Sequence, residues 1–272
     1  MLARVNAPTP LPLWLDAAGA VCGTPTIVTS RLPGHGVLAP RDQAAYVRGL
    51  ATALAAIHAT PLEPTEMALL VPQRANLARL LERDAPPPEF AELPGGVALW
   101  MMLHRLWPHM LPANPPKLVH GDFWPGNTLW RNGRLSGVVD WEQVRIGDPA
   151  QDVGCCRLDL TLLLGPDAAA DFLTAYQAAT SQPVPNLYFW ELYAATWATE
   201  SLDEWVKGYH DLRRTDLTLE EVRARLARFI DHALARAEDA LRHLEAGSTR
   251  PADATAGPAG TAINADSREK TA

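Results

Sequence analysis

At 272 residues, 47% of them hydrophobic and 20% charged, the chain has the size and composition of one large globular domain or two small ones. A formal net charge of −7 argues against a nucleic-acid partner, which calls for a basic surface. Three cysteines (Cys22, Cys155 and Cys156) make neither a disulfide framework nor a CxxC metal pair, and no apolar run reaches the roughly 18 residues that span a membrane. With no apolar signal core after Met1, a cytoplasmic protein with no membrane partner is expected.

Residues 1–24 hold several prolines and little periodicity, so no regular element is predicted there. Pro25 to Leu32 (PTIVTSRL) is rich in β-branched residues and predicts a strand, which Pro33-Gly34-His35-Gly36 ends as a turn. The alanine-rich stretch from Arg41 to His58 has helical spacing between Pro40 and Pro61. A short helix is predicted over 76–83, ended by Pro86-Pro87-Pro88, and an apolar one over 97–111, perturbed by Pro108. Short strands follow at 117–120, 128–131 and 135–140. Asn132-Gly133 predicts that the last two pair as a hairpin. From Pro149 onward the pattern predicts helices over about 149–163, 167–180, 187–208 and 218–246. The composition of 248–272 predicts a disordered tail.

The chemistry concentrates in His120-Gly121-Asp122-Phe123-Trp124-Pro125-Gly126-Asn127, a loop between two predicted strands, and in Val138-Val139-Asp140-Trp141-Glu142, where a strand ends in a carboxylate. Asp122 and Asn127 share one short loop, and the hairpin can lay Asp140 beside them. Three oxygen-bearing side chains can therefore converge. Magnesium takes a few such hard ligands and leaves its other positions to water and phosphate oxygens. Phosphoryl transfer also needs a carboxylate that orients the attacking hydroxyl and accepts its proton.

HGDFWPGN followed by VVDWE resembles the catalytic and metal-binding segments of aminoglycoside phosphotransferases, choline kinases and related small-molecule kinases. The resemblance implies an α+β, protein-kinase-like fold: a remnant of the amino-terminal lobe and the hinge over 1–34, then a largely helical catalytic lobe with a short catalytic hairpin over 35–247. It implies an ATP-dependent transferase that moves a phosphoryl group to a small-molecule hydroxyl, with ATP and Mg2+ as cofactors. Asp122 would be the catalytic base, Asn127 and Asp140 the magnesium ligands, and His120 a structural residue of the loop. Gly147-Asp148-Pro149-Ala150-Gln151-Asp152 resembles the family's GDPxxD stretch, which gives Asp148 and Asp152 structural roles. Ile27 to Gly34 resembles the hinge, where backbone groups of Ser30, Arg31 and Leu32 would meet the adenine ring.

In this family the helices after the metal site form the acceptor pocket. Candidates are Trp190, Glu191, Trp197, Glu200, Asp203, Glu204 and Trp205, all on one predicted helix, with Trp124 and Glu142 beside the metal site. Glu200, Asp203 and Glu204 stand three and four apart, and with Trp197 they suit a cationic group on a hydroxylated acceptor. The resemblance is incomplete before the hinge. The chain has three lysines (Lys117, Lys207 and Lys270), all after it, and the first 30 residues hold no glutamate. A kinase of this kind needs a phosphate-covering loop, a strand lysine and its glutamate partner. Three expectations stay open: a start upstream of Met1 or a truncated gene, a second chain that supplies the lobe, or a pseudoenzyme that binds without turnover.

Overall fold

The computed structural model describes residues 4–248 apart from 94, 114, 200 and 201. The first element is a strand that periodicity does not predict. β1 (Pro12–Asp16) pairs antiparallel with β2 (Thr26–Thr29), the strand that is predicted. Between them the Asp16 carboxylate accepts the amides of Ala20, Val21 and Cys22 at 2.7–3.0 Å. That glycine-flanked loop therefore turns its N–H groups onto its own aspartate, which removes them as a phosphate cradle.

α1 (Gln43–His58) starts at Asp42, whose carboxylate caps the Ala45 amide at 2.9 Å. A short α2 (Pro64–Met67) and a two-residue β3 (Val71–Pro72) lead into α3 (Gln73–Leu81). α4 (Gly96–Leu106) ends sooner than predicted. A 3-10 turn at Trp107–His109 replaces its last residues because Pro108 cannot continue the α-helical ladder.

β4 (Lys117–Val119) carries the chain to the HGD loop, and β5 (Thr128–Arg131) with β6 (Arg134–Val138) forms the expected hairpin. Its turn residues Asn132 and Gly133 both have positive φ, 53° and 73°, as a two-residue turn of this hand requires. β7 (Arg145–Gly147) completes a three-stranded sheet in the order β3-β7-β4.

The remainder is helical: α5 (Ala150–Leu164), α6 (Pro166–Thr180), α7 (Leu187–Ala195), α8 (Leu202–Asp211) and α9 (Leu219–Ser248). The single helix predicted over 187–208 is broken. α7 stops at Ala195 and a 3-10 turn follows at Thr196–Thr199, before α8 starts in a new direction. The predicted tail lies outside the described residues, save Ser248 at the end of α9.

α5 is buried on nearly every side. One apolar core packs it against α4, α7, α8 and α9, and a second against α1, α6 and the β5–β6 hairpin. A helix so enclosed can hold carboxylates only where partners meet them, which is the situation of Asp152 and Asp159. No helix among the described residues is long and apolar enough to cross a membrane.

Candidate functional site

The HGD loop is held by its backbone. Asp152, fully buried in the first turn of α5, accepts the His120 amide at 2.7 Å and the Gly121 amide at 2.8 Å. Its Oδ2 also lies 3.0 Å from Nε2 of buried His58, whose other ring nitrogen meets the Tyr176 hydroxyl at 2.7 Å. Gly121 has φ +88°, and a Cβ there would collide with the Gln143 carbonyl oxygen, so the loop needs glycine at this step. Gln151 reaches the Gly121 carbonyl at 3.3 Å and is itself held by Gln73.

His120 is buried, and burial holds its pKa below the ordinary histidine value, so the ring is neutral. Its partners fix the tautomer. Nε2–H donates to the Val139 carbonyl at 3.0 Å, and Nδ1 accepts the Asp122 amide at 3.3 Å. The ring lies 4.6 Å from Trp141 and thereby ties the loop to the end of the hairpin.

Asp122 is followed by a 3-10 turn, Pro125–Asn127, that swings Asn127 back toward it. The Asn127 amide donates to both the carbonyl and Oδ2 of Asp122, each at 3.0 Å. These bonds use Oδ2 of Asp122 and the amide nitrogen of Asn127. Burial raises the Asp122 pKa, against the lowering effect of His120 and Asn127. Asp140 follows β6 in the left-handed region at φ 62°, a conformation that non-glycine residues adopt sparingly and that recurs at functional sites. The Val139 amide donates to the Asn127 carbonyl at 2.9 Å, so the two segments meet at this point.

Asp122, Asn127 and Asp140 all line one cleft of about 370 Å³. Of the predicted acceptor residues, Trp124, Trp197, Glu204 and Trp205 share that cleft. Glu142 and Asp203 are exposed and lie outside its wall, and Glu200 falls outside the described residues.

The other candidates lie away from this cleft. Glu191 is not in the pocket: it is fully buried on another face, between Arg157 of α5, at 2.6 Å, and Arg236 of α9. Trp190 donates its indole N–H to Asp148 at 3.0 Å and lines a separate cavity. Asp148 also caps the Ala150 amide at 2.9 Å. Ser30, Arg31 and Leu32 do not line the cleft. The Ser30 amide is taken by the Leu11 carbonyl at 2.9 Å, while the Leu32 side chain lies over Gly137 of β6. Beyond Leu32, His35 and Trp130 exchange backbone hydrogen bonds at 3.2 and 2.9 Å, fastening this segment to the β5–β6 hairpin.

Sequence reading missed Asp159, Leu158 and Tyr209, which line the cleft from α5 and α8. It also missed His58, whose position at the end of an alanine-rich helix gives no sign of a partner 94 residues away.

The model of the "Phosphotransferase enzyme family" matches residues 1–190. The chain belongs to the phosphotransferase enzyme family. Viomycin phosphotransferase of Streptomyces vinaceus is 31% identical over 171 residues, covering 53% of this chain and 54% of that protein. Homoserine kinase of Methylocella silvestris is 27% identical over 165 residues, covering 56% of this chain and 47% of that protein. The chain thus spans about half the length of each of these relatives. Among solved structures, a thermostable mutant of aminoglycoside phosphotransferase APH(4)-Ia superposes with a TM-score of 0.55 at 18% identity, covering 85% of this chain and 80% of that one. The fold of this phosphotransferase family member is therefore the α+β, protein-kinase-like fold.

Proposed function

We propose that this chain carries the catalytic lobe of an ATP-dependent phosphotransferase that acts on the hydroxyl of a small molecule. The observation that supports this most is the shared cleft: a half-buried carboxylate held through one oxygen by Asn127, that asparagine and a carboxylate just after a strand line the same space. The acceptor hydroxyl donates to Oδ1 of Asp122. As its oxygen bonds to the γ-phosphorus, the bond from that phosphorus to the β,γ-bridging oxygen breaks, the proton passes to Asp122, and ADP leaves. Asn127 holds Asp122 through Oδ2, so only one oxygen is presented.

The donor set also fits magnesium. Asn127 and Asp140 would hold it through one amide oxygen and one carboxylate, a pair that leaves most of its positions to phosphate oxygens and water. When bound, the ion neutralises charge that develops on the transferred phosphate. Leu32, packed on β6, offers an apolar surface beside the hairpin for the nucleotide base. A solved structural neighbour holds ADP and hygromycin B together, which accords with a nucleotide and a hydroxylated acceptor in one site.

The test is a titration of Mg-ATP and metal-free ATP into the full chain and into Asp140→Ala. The wild type should prefer Mg-ATP, and the variant should lose roughly tenfold of that affinity with little change toward metal-free ATP. Equal affinity of both proteins would remove Asp140 from the metal role. A second reading, a module that binds nucleotide without turnover, draws on the lack of any lysine before Lys117. Magnesium-dependent binding with no single-turnover phosphoryl transfer would favour it.

A further inference from the structure

The acceptor side of the cleft is walled by aromatic rings. Trp124, Trp197, Trp205 and Tyr209 converge on it from three separate segments, with Trp124 and Tyr209 in contact at 6.3 Å between ring centroids. Its volume of about 370 Å³ lies in the range that takes drug-sized molecules.

Charge is scarcer there than the sequence suggests. Asp122 and Asp140 are engaged by the reaction, which leaves Asp159 and Glu204 as the remaining lining carboxylates among the described residues. Asp159 is buried and accepts the Tyr209 hydroxyl at 3.3 Å. Burial, reinforced by Asp122, pushes its carboxyl well above the usual range, which disfavours its charged form. Glu204 is 62% exposed at the rim and is already paired with Lys207. A ligand with several ammonium groups would bring them against indole faces and meet a single solvated counterion. One cation can be met by a ring face, but several buried cations without carboxylates cannot.

From this wall we infer that the acceptor has a flat or apolar body bearing a hydroxyl and at most one positive charge, and that the aromatic rings of Trp124, Trp197, Trp205 and Tyr209 set its affinity. The inference rests on the phosphotransfer reading, which makes this cleft the acceptor side.

Isothermal titration of the full chain in saturating Mg-ADP, so that the ion engages Asp140, tests it independently of turnover. Three probes are compared: ethanolamine, 2-amino-1-phenylethanol, which adds one ring to the same amine and hydroxyl, and kanamycin, a polyamino polyol. The expected result is at least tenfold tighter binding of the ring-bearing probe than of ethanolamine, with kanamycin no tighter than ethanolamine. Trp205→Ala should erase the ring's advantage, and Trp197→Ala should reduce it if the first variant fails to fold. Asp159→Asn should bind the ring-bearing probe within twofold of the wild type, since an amide oxygen can still accept the Tyr209 hydroxyl. Absence of a ring advantage, or kanamycin as the tightest ligand with a tenfold loss in Asp159→Asn, would overturn the inference. Failure of the Mg-ATP titration would instead strike the phosphotransfer reading and leave these affinities as measured.

Discussion

Replacing Asp152 by alanine should unfold this chain more readily than almost any other single change. The carboxylate is fully buried and accepts from three groups: the amides of His120 and Gly121 at 2.7 and 2.8 Å, and His58 at 3.0 Å. Each buried donor left unsatisfied costs about 1–3 kcal/mol. Partial relaxation and water entry reduce the total, so a loss of about 3–6 kcal/mol is expected. That is a large share of the roughly 5–15 kcal/mol that holds a domain folded. At about 2 °C per kcal/mol for a chain of this size, Tm should fall by about 6–12 °C. Urea unfolding followed by circular dichroism gives the free energy, and calorimetry gives the shift. A cost under about 1 kcal/mol, the range of ordinary surface changes, would show that the carboxylate does not carry the loop. Asp152→Asn should be milder, because it keeps one acceptor oxygen for one amide.

Two further outcomes follow from the loop. Gly121→Ala should cost more than about 2 kcal/mol, from the positive φ together with the collision at Gln143, and urea midpoints against a Gly133→Ala control would measure it. The Asp122 pKa is raised by burial, so the acidic limb of kcat/KM should lie above the ordinary aspartate range, with activity lost as pH falls through that raised value. Stability runs in the opposite direction. A carboxyl raised on folding stabilises fully below its unfolded pKa, and that contribution is lost as pH rises through the folded value. Asp122→Asn should therefore gain stability relative to the wild type as pH rises from 3 to 7, and parallel unfolding curves across that range would refute the shift.

The candidate site was legible where it is local. Asp122 and Asn127 sit five residues apart on one loop, and Asn132-Gly133 dictates the turn that brings Asp140 alongside. Such features depend on spacing and turn chemistry, which a sequence displays. The acceptor wall was less legible because it depends on where helices turn. A continuous helix over 187–208 would have carried Glu191 and Glu204 on one element, but the break at Thr196–Thr199 places them on two. Glu191 then turns to two arginines 34 and 45 residues further from it in the chain. Spacing alone gave no reason to pair them.

The sequence by itself determined the chemistry on offer: which oxygen donors share a loop and which turn closes the hairpin. Only the tertiary structure decided how those groups are used. Packing buried Asp152 where backbone amides could meet it, withdrew Asp159 from solvent, and turned four aromatic rings from separate segments toward one cavity. Burial and long-range partnership set the charge state and the neighbours of a side chain, and neither is written in the residues beside it.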